Sequence, residues 1–161
     1  MKRDKIYSRL KEYCMLVIER FKQLGELWSD VEYTETGWTF HDRNPSDKRR
    51  GVYAFIGIDG IEKVGKIENA KGVAARTYQY SRSLKRITED RNDASDTLWH
   101  EVMTNDLKGQ ALEFYFLPVE SKIETIHGVE IEIDGIRALE KKLSTLARVE
   151  DNPMRLSGKG N

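Results

Sequence analysis

Residues 51–80 read GVYAFIGIDGIEKVGKIENAKGVAARTYQY, and within this stretch phenols, an ammonium and a guanidinium stand close together. The order is Gly51-Val52-Tyr53, then Lys63-Val64-Gly65, then Arg76 with Tyr80 four positions on. These group types suit phosphodiester cleavage, in which a water must lose a proton, a cation must hold the developing charge and the leaving oxygen must be stabilised. A phenol, with an ordinary pKa of about 10, serves as a base or proton relay only where a nearby cation favours its phenolate. A guanidinium forks onto a phosphate with a geometry that an ammonium lacks.

Such groups act together only if the chain brings them to one place. The apolar runs 52–58 and 61–64 are separated by Asp59-Gly60, which is a strong local hairpin signal. The predicted hairpin aligns Tyr53 with the region of Lys63. After Gly65 the pattern becomes helical, beginning near Asn69 or Lys71, with Val73, Arg76, Tyr80 and Leu84 at spacings of three and four. Arg76 and Tyr80 are therefore expected on one helix face.

This order of parts resembles the GIY-YIG nuclease superfamily, in which a Gly-Ile-Tyr strand, a Tyr-Ile-Gly strand and an Arg-bearing helix line one face of a small sheet. Here the first motif is Gly51-Val52-Tyr53 and the second Lys63-Val64-Gly65, followed by Lys66 and Asn69 much as in the family pattern. The departure is Lys63, where most members carry Tyr; compact restriction enzymes of the superfamily also have Lys there. The family's metal-binding Glu falls at Glu140 within Gly135-Ile136-Arg137-Ala138-Leu139-Glu140, and its downstream Asn at Asn152. The resemblance spans residues 51–153.

It implies a small α/β (α+β) fold, a central antiparallel or mixed sheet flanked by helices, with one role per residue. Tyr53 would be base or relay, Lys63 the cation that favours its phenolate, Arg76 the phosphate clamp, and Tyr80 a group orienting phosphate or water. Glu140 would hold Mg²⁺ or Mn²⁺, an ion that keeps several waters and uses few protein ligands. Lys66, Asn69 and Asn152 would contact the substrate.

Each residue also has an ordinary reading. Tyr53 could be a half-buried strand tyrosine, Lys63 a surface lysine, Arg76 and Tyr80 a stacked helix pair, and Glu140 a solvated charge beside Arg137 and Lys141. Their joint occurrence in family order carries the case. A rival pattern, Asp106 followed by Glu120-Ser121-Lys122, imitates another large restriction-enzyme fold, and Pro118 inside its supposed strand weakens it. His41, His100 and His127 are scattered, and neither Cys/His ligand spacing nor a Walker-type glycine loop occurs. Trp38 and Phe40 could stack on a flipped base, but core packing is the expected role.

At 161 residues the chain can bury roughly two-thirds of its unfolded surface, enough for one domain with a real core. A charged fraction of 34% and a mean hydropathy of −0.65 place it in water, and the apolar run 14–18 is too short for a span or leader. A cytoplasmic protein with no membrane partner is expected. The lone Cys14 allows no internal disulfide and reads as a packed thiol. The net charge of zero is unevenly distributed: residues 41–91 hold 12 basic and 7 acidic residues, and residues 92–161 hold 8 and 13. The basic excess coincides with the motifs, as a phosphate-binding face requires.

Around the core (51–153) the pattern predicts an N-terminal extension (1–50) and an insertion near 85–110. The extension opens with an amphipathic helix over 3–24, stopped near Gly25, expected to pack on the sheet or on a second subunit, its stripe of Leu10, Val17, Phe21 and Leu24 being the first choice for a dimer interface. Short strands are expected at 31–34 and 38–40, a polar loop at 41–50, a helix at 93–107, a strand at 111–119, a weakly paired one at 130–134 and a helix at 136–149. The expected activity is Mg²⁺-dependent cleavage of double-stranded DNA by a homodimer, restriction-like in its economy. A structure-specific or phage-type DNA-degrading nuclease, or a catalytically silent DNA-binding module of the same fold, are the alternatives.

Overall fold

The computed structural model of the protein describes residues 15–91 and 93–158. It shows a mixed α+β architecture. A five-stranded antiparallel sheet has the order β2-β1-β5-β3-β4, built from β1 (Glu26–Thr34), β2 (Gly37–Phe40), β3 (Gly51–Gly57), β4 (Gly60–Ile67) and β5 (Leu112–Pro118). The helices are α1 (Val17–Leu24), α2 (Gly72–Ser81), α3 (Ser83–Thr88), α4 (Ala94–Glu101) and α5 (Ile136–Val149). A π-helical turn, Val102–Asp106, continues α4.

The run VYAFI of β3 is apolar throughout because both faces of the sheet are covered, and every β3 residue except the last is buried. On one face Tyr53, Phe55, Phe114 and Phe116 pack with Val73 and Tyr80 of α2, and with Trp38, Val102 and Met103. On the other, Val52, Ala54, Ile56, Ile61 and Val64 pack with Val17 and Phe21 of α1 and with Ile136, Leu143 and Ala147 of α5. Trp38 is thus a core residue, as expected, only 3% exposed.

Several expectations are corrected here. Leu10 and Cys14 lie outside the described residues. Val17 and Phe21 are fully buried against this chain's own sheet and last helix, so these two residues of the stripe expected to join two copies are already covered, while Leu24 is 51% exposed. The Val17 N–H also donates to Glu150 Oε2 at 2.9 Å, which ties α1 to the end of α5. The chain does stop at Gly25, where a Cβ would stand 2.7 Å from the Phe21 carbonyl oxygen and 2.8 Å from that of Phe116.

The segment expected as a weakly paired strand is half of a hairpin of its own. β6 (Lys122–Ile126) and β7 (Val129–Ile133) turn through His127 and Gly128, at φ 50° and 78°, the pair of positive values that a two-residue hairpin loop of this kind demands. Every residue of both strands is exposed. Burial could not have announced them. Glu120, of the rival Asp106/Glu-x-Lys pattern, lies between β5 and β6 and is not among the residues lining the cleft described below.

At the sheet's edge, β4 is flanked by the chain's last described segment. The Met154 N–H donates to the Ile61 carbonyl and the Leu156 N–H to that of Glu62, each at 3.0 Å. Arg155 meets the fully buried Glu62 carboxylate at 2.7 and 2.9 Å and reaches Asp59 at 3.0 Å. A charge buried in this way is tolerated only because it is paired.

Candidate active site

Helix α2 is capped by backbone from the loop at 41–50. The Val73 and Ala74 N–H groups, which have no partner inside the helix, donate to the Arg49 and Asp47 carbonyls at 3.0 Å each. Asp47 is held in turn by Trp28 Nε1 at 2.9 Å and by Arg49, which lowers its carboxyl pKa to about 2. Gly72, at φ 74°, lies so close to this loop that a Cβ would meet Lys48 backbone at 2.2 Å. The helix therefore starts at Gly72, slightly later than the sequence pattern suggests, and delivers Arg76 and Tyr80 to the sheet.

The hairpin forms as expected, with Gly57 paired to Gly60. It brings Tyr53 to the part of β4 that holds Lys63, as expected. A bulge between Phe55 and Ile56 shifts the ladder, so that Tyr53 lies opposite Gly65 and Phe55 opposite Lys63. The Tyr53 ring lies across Gly65, where a Cβ would fall 2.3 Å from the phenol oxygen. Glycine at 65 is thus a requirement of the Tyr53 pose. Gly65→Ala is expected to displace that ring and to lower any activity dependent on it by about a hundredfold, since a shift of about 1 Å at a reacting group has that cost. Activity unchanged in a folded Gly65→Ala protein, judged by near-ultraviolet circular dichroism and cleavage rate, would remove the ring from the mechanism.

Tyr53 and Tyr80 are both buried, with their phenol oxygens 2.6 Å apart. Burial holds the Tyr80 pKa well above the usual phenol value; a charge on Tyr53 raises it further, and Arg76 opposes this. Tyr80 therefore keeps its proton, and the contact admits either hydroxyl as the donor. The nearby Tyr53 charge, with a smaller contribution from Tyr80, raises the Arg76 pKa against the cost of burial. Arg76 lies 5.8 Å from the Tyr80 ring centre and reaches Gln79 Oε1 at 3.3 Å, while its Nε is buried without a partner among the described residues. The groups disposed around the Tyr53 oxygen are thus Tyr80 and Arg76. Lys63 sits apart, with its ammonium 5.0 Å over the Trp99 ring.

A cleft of about 520 Å³ runs over β4 from Tyr53 to α5. Lys63, Lys66, Arg76, Arg137, Lys141 and Arg148 line it, and Glu140 is the one carboxylate among its lining residues. Glu140 is half-buried and accepts from Ser144 Oγ at 3.2 Å. Ser144 and Arg148 follow Glu140 at helical spacings of four and eight, the signal by which the sequence places them on its helix face.

Of the expected site residues, Tyr53, Lys63, Lys66, Arg76 and Glu140 line this cleft, and Tyr80 joins them through Tyr53. Asn69 borders a neighbouring hollow that Lys66 and Arg76 share, and its side chain accepts the Lys71 N–H at 2.8 Å. Asn152 is not brought to the cleft. Its Oδ1 accepts the Ile61 N–H at 2.9 Å and its Nδ2 donates to the Ala147 carbonyl at 2.8 Å, so both polar ends of its side chain tie the C-terminal segment to β4 and α5.

Among solved structures, the fold resembles that of restriction endonuclease HPY188I in complex with product DNA, with a TM-score of 0.50 and 13% identity over 88% of this chain and 84% of that one. It also resembles bacteriophage T4 EndoII, with a TM-score of 0.54 and 16% identity over 86% of this chain and 98% of that one. At these identities the likeness is one of fold. No protein-family profile matches the sequence, and no curated protein matches it significantly. The chain thus shares its mixed α+β fold with these two proteins.

Proposed function

We propose that this protein is a DNA endonuclease of the GIY-YIG type that hydrolyses phosphodiester bonds of double-stranded DNA with Mg²⁺ or Mn²⁺. The observation that carries this reading is the cleft, in which a buried phenol pair and six cations surround a single carboxylate. The likeness of the fold to a restriction endonuclease solved with product DNA supports it.

In this reading Arg76 forks onto the scissile phosphate, with the unpartnered Nε as one of its donors. Tyr53 takes the proton of the attacking water, and Tyr80 donates to the Tyr53 oxygen as it becomes negative. Lys63 supplies a second positive charge at the cleft, and Lys66, Lys141 and Arg148 hold the strand's backbone. The described residues include no cluster of three or more His, Cys, Asp or Glu, so an all-protein metal cage does not fit. A hard cation that keeps several waters does fit a lone half-buried carboxylate, and Glu140 would hold it. When bound, the ion supplies neutralising charge at the phosphate.

Incubating supercoiled plasmid with the protein and Mg²⁺ is expected to give nicked and linear products, and chelation should abolish them. A protein that binds plasmid but leaves it supercoiled with either metal is the silent DNA-binding module instead. The sequenced ends separate the two nuclease variants: one recurring sequence marks a restriction-type enzyme, and scattered ends mark a phage-type degrading one. The likeness to bacteriophage T4 EndoII favours keeping the second variant. No helix among the described residues is long and apolar enough to cross a membrane.

The enzyme is proposed to act as a homodimer on DNA, because one such site cuts one strand and a break across both strands needs two. The interface lies elsewhere than at Val17 and Phe21, which are fully buried. Light scattering with a cleavable duplex is expected to show two protein chains per duplex. A complex of one chain per duplex that cuts both strands in a single binding event is incompatible with the dimer.

A further inference from the structure

The contact that Lys63 makes comes from outside the motifs. Its ammonium stands 5.0 Å over the indole of Trp99, and among the described residues it has neither ion pair nor hydrogen bond. Trp99 lies on α4, in the segment expected as an insertion on the core. The same indole lies 4.5 Å from the Tyr80 ring, centre to centre, at an interplanar angle of 41°. Its N–H donates to the Leu156 carbonyl at 3.1 Å. The Leu156 N–H, in turn, donates to the Glu62 carbonyl, the residue before Lys63. One side chain therefore touches Tyr80, faces the Lys63 ammonium and anchors the segment that fixes the Lys63 backbone.

The ring is itself held firmly. Asp93 caps α4 by accepting the Asp96 N–H at 2.9 Å, and Asp96, 1% exposed, is paired with Arg86 of α3 at 2.6 and 2.8 Å. Removing Arg86 would leave the buried Asp96 charge without its partner. α4 is thereby tied to the helix that follows α2, and the indole enters the site from a fixed base.

We propose that Trp99 is a positioning residue of the nuclease reaction, holding the Lys63 ammonium at the cleft. This rests on the nuclease reading above. It makes the segment around α4 part of the catalytic apparatus. An aromatic face attracts an ammonium electrostatically, so removing the face frees a flexible four-carbon chain to sample solvent. Loss of that attraction at a partly desolvated position corresponds to about tenfold in rate.

The test is a cycle of variants measured by single-turnover cleavage, with DNA affinity and thermal unfolding followed separately. Trp99→Leu is expected to cut about tenfold more slowly with DNA affinity within about twofold, and Trp99→Phe, which keeps an aromatic face, to recover most of the loss. In a Lys63→Met background, Trp99→Leu should cost little more. An equal loss in that background shows that Trp99 acts only as core packing, and overturns the proposal. So does an unchanged rate in Trp99→Leu. Should Trp99→Leu fail to fold, proton NMR of the unaltered protein reads the contact directly. The Lys63 ε-methylene resonance, assigned by its loss in Lys63→Met, is expected upfield of the other lysines because it lies over the ring, and an unshifted resonance overturns the contact. A wild-type protein that cuts no DNA sinks the nuclease reading and this role with it, whereas cutting without the coupling sinks this role alone.

Discussion

Tyr53→Phe is expected to lower single-turnover DNA cleavage by at least about two orders of magnitude, the usual scale for a general base, while DNA affinity barely moves. The expectation rests on the 2.6 Å contact between the phenol oxygens and on which of the two keeps its proton. Burial holds the Tyr80 pKa well above the usual range, so Tyr80 keeps a proton that it can donate when Tyr53 acts as the base. Arg76, stabilised in its charged form chiefly by Tyr53, completes the polar surroundings of that oxygen. Tyr80→Phe removes the donor but keeps the ring and should slow cleavage less than Tyr53→Phe. Both variants leave one buried hydroxyl without its partner, at a cost of about 1–3 kcal/mol, so unfolding must be recorded alongside the rates. Tyr53→Phe within a few-fold of wild type, in a folded protein, would take the phenol out of the mechanism.

Glu140→Ala is expected to bind DNA and to leave it uncut at any practical Mg²⁺ concentration. The cleft's remaining charged residues are all cations, so no neighbouring carboxylate can take over a metal ion. Stability should change by less than about 1 kcal/mol, because Glu140 is half-buried on the helix surface and its one recorded partner is the Ser144 hydroxyl at 3.2 Å. Removing a negative charge from a cationic cleft should if anything tighten DNA binding, most visibly at low salt. Isothermal titration of Mg²⁺ into the protein–DNA complex, beside cleavage assays, separates metal loss from misfolding. Glu120→Ala serves as the control and should cut normally, since Glu120 lies outside the cleft. A Glu140→Ala protein that cuts at the wild-type rate while Glu120→Ala is dead would move the metal to the rival pattern.

Local chemistry made much of this arrangement legible in advance. Asp59-Gly60 between two apolar runs announced the β3–β4 hairpin, and the spacing of Val73, Arg76 and Tyr80 announced α2, because turn residues and helical period act through neighbours in sequence. Gly25, Pro118 and the stripe Ile136, Leu139, Leu143 ended or defined their elements for the same reason. Tyr53, Lys63, Arg76 and Glu140 could be named because their order along the chain matches a known pattern, and they do line one cleft.

Other features depended on groups far apart in sequence. A bulge at Phe55/Ile56 set which residue faces Tyr53, moving its partner from Val64 to Gly65, so that the ring lies over a glycine. Nothing in α1 says what its stripe covers, since an apolar face is equally stable against a second copy or against the chain's own sheet. Val17 and Phe21 found the sheet because α5 folds back beside them. The exposed hairpin β6–β7 gave a faint signal because neither face is buried, and burial is what produces a clean alternation. Asn152 matched a pattern by position, yet hydrogen bonds to Ile61 and Ala147 engage both ends of its amide. Trp99 had only an apolar position on a helix to recommend it. Its contact with Lys63, thirty-six residues earlier in the chain, exists only once α4, β4 and the C-terminal segment converge, and residue order does not encode such distances.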